Sequence, residues 1–393
     1  MPTLRGWAIT GGGVALVVLW YAFGEIELFL AAIFVFLLQL GSLLYVRLKK
    51  ADLSIGRRLG SATVHDGDTN TITLVIENKS RRSATNLTID DNINNLGTAR
   101  FECARLRKNE QTTATYRVTC RPRGVYRVGP TEITNGDPFG LAQTRAGSGP
   151  VDRIVVYPSI EDLTDFPIIR GHDPAMQASR PEHARQGGED FYTLREYQRG
   201  DDLRRVHWPS SARTDELMIR QLETPWQSRA LVLLDVRADS YESDAAFEKA
   251  VSGAATIVTH LVSSGFDADL WAGDADPIDA SRYGSAMERL ALVKPDPAID
   301  IEAVATRIRQ KGGGGALVIV TGIADRGLLS VQQLLSKDYP TTVLMSASQT
   351  TSQTLVGFHR LGVTTVSITP DEQWAPAWLA GMRRTWSAAP SAV

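Results

Sequence analysis

Arg229-Ala230-Leu231-Val232-Leu233-Leu234-Asp235-Val236-Arg237-Ala238-Asp239-Ser240 is the stretch on which the fold turns. The apolar residues from Ala230 to Leu234 run without alternation, as in a strand buried on both faces. Helical spacing follows over 245–262, then a short strand over 268–271. Further helical segments fall at 286–292 and 301–309, and a second buried-strand run at 316–320. A helix over 328–335, strands at 342–345 and 365–368, and a helix over 374–386 complete the series. Alternation of this kind predicts an α/β domain over 229–390, with a doubly wound parallel sheet and right-handed crossovers. Ligands of such sheets bind outside the carboxyl ends of the strands. Asp235, Arg237, Asp239 and Ser240 follow the first strand and are therefore the expected binding residues.

Upstream, 51–150 reads as β structure. Ile72, Leu74 and Ile76 alternate with Thr71, Thr73 and Val75, and Leu87 and Ile89 with Thr88 and Asp90. Tyr116, Val118 and Cys120 alternate with Arg117 and Thr119. Turn residues punctuate these runs at Asp66-Gly67-Asp68, Asn78-Lys79-Ser80, Pro122-Arg123-Gly124 and Gly129-Pro130. Short alternating strands with regular turns predict an antiparallel β-sandwich.

The first fifty residues differ again. Trp7 to Phe23 carries no charge, and Leu28 to Val46 is broken only by Gln39 and small residues. About 17 to 25 apolar residues cross a hydrocarbon core, so 1–50 predicts a transmembrane hairpin closed by Gly24-Glu25-Ile26-Glu27. Gly11, Gly12 and Gly13 weaken helix propensity but let a neighbouring helix approach closely. Arg5 precedes the first span and Arg47, Lys49 and Lys50 follow the second, while Glu25 and Glu27 mark the tip. The bias of Lys and Arg places both ends in the cytoplasm, and the expected location of the hairpin is the inner (plasma) membrane. The lipid bilayer is thus the first expected partner. A formal net charge of −2 offers no electrostatic case for nucleic acid. The two cysteines, Cys103 and Cys120, have no metal or redox spacing. They are expected as free thiols, on strands of one hairpin-like region.

The stretch 151–228 is a charged connector. Its densest part holds Glu189, Asp190, Arg195 and Tyr197, then Gly200, Asp201, Asp202, Arg204, Arg205, His207 and Trp208, and ends on Ser210, Ser211 and Arg213. Arginine forms paired hydrogen bonds to carboxylates, so these residues suit an ion-pair network that pins the connector, with Trp208 as its buried anchor. A partner-binding surface and a catalytic site are the alternatives, the latter through His207 and a nearby serine.

The run from Gly200 to Trp208 and on to Arg213 resembles the signature of the domain-of-unknown-function 58 family. So do Arg123-Gly124-Val125-Tyr126, Gly129-Pro130 and Asp137-Pro138-Phe139-Gly140-Leu141. His207 departs from the Asp usual there. The resemblance implies a von Willebrand factor A-like C-terminal domain and an adaptor working with a MoxR-type AAA+ ATPase. A metal-binding von Willebrand A domain would carry Asp-x-Ser-x-Ser after its first strand, a donor set for Mg²⁺ or Mn²⁺. Here Asp235 fits, Arg237 and Asp239 replace the serines, Gly322 stands where a later Asp is needed, and Asp325 is displaced. Arg237 is expected to pair with Asp235 and Asp239 without an ion, so no cofactor is expected. Gly312-Gly313-Gly314-Gly315 lacks the Lys-Ser or Lys-Thr of a phosphate loop and precedes a strand. The overall expectation is a membrane-anchored, protein-binding adaptor without catalytic residues. A hydrolase using His207 and a purely structural scaffold are the rivals.

Overall fold

The computed structural model describes the chain apart from residues 50, 51, 165–190, 197–210, 212, 214–217, 223–228, 313, 349–351 and 388–393, and apart from the side chains of 191–196, 219–222, 352 and 384–387. It divides into two units, Met1–Pro158 and Ser159–Val393.

The first unit begins with helices α1 (Leu4–Phe23) and α2 (Ile26–Leu48). At the rise of an α-helix these are about 30 and 34 Å long, and both are long and apolar enough to cross a membrane. Thr3 caps α1 by accepting the Gly6 N–H at 3.1 Å. Gly24 ends it with φ 76°, a conformation that suits a residue without Cβ. The turn is shorter than the sequence suggests, because Glu27 already lies in the first turn of α2, where a carboxylate favours the helix dipole. Of the three glycines in α1, Gly13 is the packing position. A Cβ there would sit 3.1 Å from Phe36 and Val35, whereas Gly11 and Gly12 face open space.

The expected sandwich follows. One sheet has the order β1-β3-β6, with β1 at Leu53–Leu59, β3 at Thr69–Asn78 and β6 at Gln111–Thr119. The other has the order β2-β9-β7-β4-β5, with β2 at Thr63–His65, β4 at Ala84–Ile93, β5 at Gly97–Leu106, β7 at Gly124–Gly136 and β9 at Asp152–Tyr157. Strand β8 (Gln143–Ser148) pairs with β7. Pairing is antiparallel except between β2 and β9. Leu74 and Ile76 of one sheet pack against Leu87, Ile89 and Ile133 of the other, and Ile72 against Val128, Ile154 and Val156. The period-2 alternation of β3 is realised residue by residue, with Asn70, Ile72, Leu74, Ile76 and Asn78 inward. The sandwich runs past the expected boundary at 150, because β9 supplies Ile154 and Val156 to its core.

The cysteines require a correction. Cys103 lies on β5 and Cys120 just beyond β6, in different sheets, and both are free thiols. The chain between them crosses from one sheet to the other, which an alternating pattern alone does not reveal.

Inside the sandwich lies a charge cluster that the sequence does not announce. Arg57 of β1 and Asp91 of β4 are fully buried and bonded at 2.5 Å. Asp91 also accepts from the Tyr116 hydroxyl at 2.7 Å and the Thr131 hydroxyl at 2.8 Å. Arg57 donates in addition to the carbonyls of Val128 and Pro150 and to Asp152. Gly129 has φ 94°, and a Cβ there would strike both the Arg57 guanidinium and the Pro150 carbonyl. The glycine of the Gly129-Pro130 motif is therefore needed for this cluster.

The second unit contains a two-stranded antiparallel ribbon, β10 (Phe191–Glu196) with β11 (Met218–Leu222). Its main body is a six-stranded sheet of order β14-β13-β12-β15-β16-β17. These strands are β12 (Arg229–Leu234), β13 (Asp267–Ala272), β14 (Ile278–Asp279), β15 (Ala316–Thr321), β16 (Thr341–Ser346) and β17 (Thr364–Ser367). All pairs are parallel except β13 with β14. The helices are α3 (Asp244–Ser263), α4 (Tyr283–Leu292), α5 (Ile301–Lys311), α6 (Arg326–Leu335), α7 (Ser352–Arg360) and α8 (Trp374–Ser387). Residues of α5, α6 and α7 cover one face through Ile308, Leu328 and Phe358, packed on Leu231, Leu317 and Leu344. Helix α3 packs on the opposite face together with α8, whose Trp374 ring lies against Gly253. The parallel, doubly wound sheet expected from Arg229 onward is thus present. Trp374 and Trp378 are fully buried core residues, and their indole N–H groups donate to the carbonyls of Lys249 and Thr164.

Candidate functional site

Strand β12 is the first parallel strand and lies in the interior of its sheet, with β13 on one side and β15 on the other. The crossovers therefore leave in opposite directions from β12 and β15, which makes their carboxyl ends the topological switch point of the sheet. Asp235 and Thr321 stand there, one at the end of each strand.

Asp235 is fully buried. Its backbone N–H donates to the Val320 carbonyl at 2.9 Å, which fixes the residue just as the strand ends. Arg237 turns back over it. The Arg237 backbone N–H and Nε donate to Asp235 Oδ1 at 3.0 and 3.1 Å, and Nη2 donates to Oδ2 at 2.9 Å. Thr321 Oγ1 donates to the same Oδ2 at 2.9 Å. On its far edge the guanidinium meets Asp325, through Nη1 at 2.8 Å and Nη2 at 3.2 Å. Asp325 is also the N-cap of α6 and accepts the Leu328 N–H at 2.9 Å. The Tyr241 hydroxyl closes the loop by donating to the Asp235 carbonyl.

Burial alone would depress the Arg237 guanidinium, but its bonds to Asp325 and Asp235 outweigh that and raise it above its ordinary value. Burial likewise pushes Asp325 up, and the Arg237 and Leu328 donors bring it below the usual carboxylate range. Burial and the Asp235 charge raise the Tyr241 phenol, so it remains a donor. Two carboxylates around one guanidinium leave a formal charge of −1. The Asp325 side chain is 45% exposed, against 11% for Arg237 and 0% for Asp235. Asp325 is therefore the part of the cluster that faces solvent.

The expected pairing is half right. Arg237 does pair with Asp235, but its second partner is Asp325 and not Asp239, which is exposed at the rim. Ser240 is buried, and its carbonyl accepts the Ile323 N–H at 2.8 Å. Gly322 faces that carbonyl so closely that a Cβ there would collide with it. Thr321 and Asp325 are the residues that sequence reasoning undervalued. The available signal was Asp325 three residues before Leu328, an N-cap spacing. Asp235, Asp325 and Thr321 supply oxygens of the kind a hard cation takes, but those oxygens already accept from Arg237, Thr321 and Leu328. This donor set does not fit a divalent ion alongside the guanidinium. Among the described residues no group of three or more His, Cys, Asp or Glu is placed to hold a metal.

Of the signature residues, Glu189, Asp190, Tyr197, Gly200, Asp201, Asp202, Arg204, His207 and Trp208 lie outside the described residues. Arg195 is on β10, and the signature runs in the chain between β10 and β11. Ser211 Oγ accepts the Met218 N–H at 2.9 Å, and Arg213 is exposed.

The fold and rim define a mixed α/β protein with two N-terminal apolar helices and a guanidinium-closed acidic site at the switch point of its parallel sheet. Residues 193–276, which run from the ribbon through Asp235 and Arg237 to just past β13, match the family model described as "Protein of unknown function DUF58". Over 221 residues it is 27% identical to "Uncharacterized protein YeaD" of Bacillus subtilis (strain 168), across 54% of this chain and 54% of that protein. The chain thus spans about half the length of the curated relative it matches. Among solved structures, the CARDB domain of the PF1109 protein from Pyrococcus furiosus is 14% identical, with 28% of this chain and 94% of that chain covered and a TM-score of 0.23. The Pseudomonas fluorescens alkylpurine DNA glycosylase AlkC is 18% identical, with 29% and 32% covered and a TM-score of 0.21. Likenesses of this size carry no argument about fold or function.

Proposed function

We propose that this protein is a membrane-anchored cytoplasmic adaptor whose von Willebrand factor A-like sheet binds a protein partner at the Asp235–Arg237–Asp325 rim, in the service of a MoxR-type AAA+ ATPase. The observation that carries the reading is the half-exposed Asp325 carboxylate at the topological switch point of a doubly wound sheet, the place where such sheets take ligands. The rim works without a metal ion, because Arg237 supplies the fixed positive charge. Its formal charge of −1 favours a partner that presents Lys or Arg. The anchor reading is supported by α1 and α2, and Arg5, Arg47 and Lys49 at one end against Glu25 and Glu27 at the other favour cytoplasmic termini in the plasma membrane.

The test is purification of the tagged full-length protein from native membranes after mild crosslinking, beside an Asp325→Asn variant. Recovery of an AAA+ ATPase that the variant loses, with the fold retained by circular dichroism, is the expected result. Recovery of no specific partner, or equal recovery by both proteins, overturns the reading of the rim. Orientation is read separately by proteolysis of sealed vesicles. In inverted vesicles the large domains should be digested, and their protection would refute cytoplasmic termini.

A further inference from the structure

The turn at 137–141, between β7 and β8, belongs to the sandwich by sequence but to the helical hairpin by its contacts. Thr3 Oγ1 donates to the Gly140 carbonyl at 2.6 Å, and the Thr3 N–H donates to the Leu141 carbonyl at 3.0 Å. Gly6 lies so close that a Cβ would strike the Leu141 carbonyl. From the other helix, Ser42 Oγ donates to Asp137 Oδ2 at 3.1 Å. The same oxygen accepts the Phe139 N–H at 2.9 Å, so Phe139 stands at the level of Ser42. Leu44 and Leu48 lie further along α2, about 3 and 9 Å past Ser42 by helical rise, and both are more than half exposed. Exposed apolar surface on α2 therefore continues beyond the turn, and exposed Leu4 and Trp7 carry it on α1. Phe139 itself is 64% exposed, the most exposed large apolar side chain among the described residues of the sandwich.

We infer that this turn is a membrane-contacting wedge, with Phe139 seated at the boundary between lipid headgroups and acyl chains. The inference rests on the reading of α1 and α2 as membrane spans. Irregular backbone at that depth is tolerated only where its polar groups find internal partners, and the turn provides them. Asp137 Oδ1 accepts the Ala142 N–H at 2.6 Å, the Gly140 N–H donates to the Asp137 carbonyl at 3.1 Å, and Thr3 serves two further carbonyls. Arg5 is exposed beside the turn, with Nη1 3.9 Å from where a Gly140 Cβ would be. It sits where a lipid phosphate would pair with it. The wedge thereby fixes the depth of the sandwich, which two spans joined to a free linker would leave unset.

The test places a nitroxide label in full-length protein reconstituted in phosphatidylcholine–phosphatidylglycerol vesicles. Cys103→Ser and Cys120→Ala form the background, and the label sits at Phe139→Cys, Leu37→Cys or Lys108→Cys. Leu37 is an exposed residue in the middle of α2, and Lys108 an exposed loop residue of the sandwich. Position 139 should collide with oxygen in preference to a water-soluble nickel chelate, as position 37 does, and position 108 should show the reverse. A label at 139 that behaves like 108 while 37 stays in lipid overturns the wedge and leaves the spans standing. A label at 37 that behaves like 108 overturns both. If the cysteine-free background fails to fold, a photoactivatable lipid probes the unaltered chain. Adducts on 137–141 as well as on α2 are expected, and adducts on α2 alone refute the wedge.

Discussion

Asp90 and Asp91 are neighbours on β4 with opposite fates, and the pair offers a sharp test of how the sandwich is held together. Asp91 points inward, is fully buried, and accepts from Arg57 Nε and Nη2, from Tyr116 and from Thr131. Burial and the hydrogen bond to Asp91 raise the Tyr116 phenol, so it stays protonated and remains a donor at any ordinary pH. Burial would depress Arg57, yet Asp91 and Asp152 raise it above its ordinary value. Asp91→Ala leaves a buried guanidinium with two carbonyls, the Thr131 hydroxyl and the outer carboxylate of Asp152, which is 35% exposed. Removing one partner of a buried ion pair costs about 3–5 kcal/mol. For a unit of this size that lowers the midpoint of thermal unfolding by about 6–20 °C. Asp90 instead reaches outward to Arg100, whose side chain is 67% exposed. Water and salt screen such a pair, so Asp90→Ala should leave the midpoint unchanged within error. The assay is calorimetry of the full-length protein, with hydrogen exchange of the β3 and β4 amides to assign the shifted transition to the first unit. Equal shifts for the two variants, or a loss below about 1 kcal/mol for Asp91→Ala, would refute the claim that this cluster joins the sheets.

Gly253→Ala would place a Cβ 2.8–2.9 Å from the buried Trp374 ring, an overpacking that costs about 1–3 kcal/mol; denaturant unfolding of the second unit reads it. Cys120 is buried and its thiol is pushed up by that burial, while Cys103 is partly accessible. A disulfide reagent should therefore titrate one thiol of the native protein, at Cys103, and two after denaturation; two fast thiols would contradict the register. Asp325 and Glu161 are both held below their ordinary range, against burial, Asp325 by Arg237 and Leu328 and Glu161 by the Ala375 N–H and Lys249. A depressed carboxylate adds stability that is present above the unfolded-state value, near 4, and is lost as pH falls through the folded-state value. The second unit should weaken from about pH 4 downward, and Asp325→Asn should flatten that slope; parallel profiles for variant and parent would refute the assignment.

Several features were legible from sequence because each has a local cause. A buried parallel strand needs an unbroken apolar run, and β12 and β15 show one. A half-buried strand needs alternation, and β3 shows it. The helical hairpin needs two long apolar runs. What stayed hidden depends on distant register. Alternation along β4 sets Asp91 on the inward face with Leu87 and Ile89 and Asp90 on the other with Thr88, but it does not reveal that Arg57 of β1 meets Asp91 across the sandwich. The second partner of Arg237 lies 88 residues away in the chain, a pairing that local spacing, which favours the nearer Asp239, does not reveal. Strand β14 is two residues long and has no periodicity to detect. Helix α7 is nine residues long and follows a polar stretch, which gives it little local signal.

Both units are built around an arginine that serves an inner and an outer carboxylate, and the difference between the two shows where a partner can act. In the sandwich the outer carboxylate, Asp152, is supplemented by two backbone carbonyls, so the guanidinium is sealed whatever happens at the surface. At the rim Asp325 is the whole outer side, and it also caps α6. Any group that draws on Asp325 therefore competes at once with Arg237 and with the first turn of α6. Losing an N-cap costs about 0.5–2 kcal/mol, and a half-exposed ion pair adds at most about 1 kcal/mol. Asp325→Ala should thus lower stability by about 0.5–3 kcal/mol and raise hydrogen exchange in the first turn of α6, while the fold persists. Asp235→Ala strips the fully buried side of the same guanidinium and should cost about 3–5 kcal/mol. If the order is reversed, so that Asp325 is the costlier loss, Asp325 is a structural residue and not the accessible face of a binding rim. Comparing the two variants by denaturant unfolding, before any partner is known, therefore decides whether binding experiments at this rim report on recognition or only on folding.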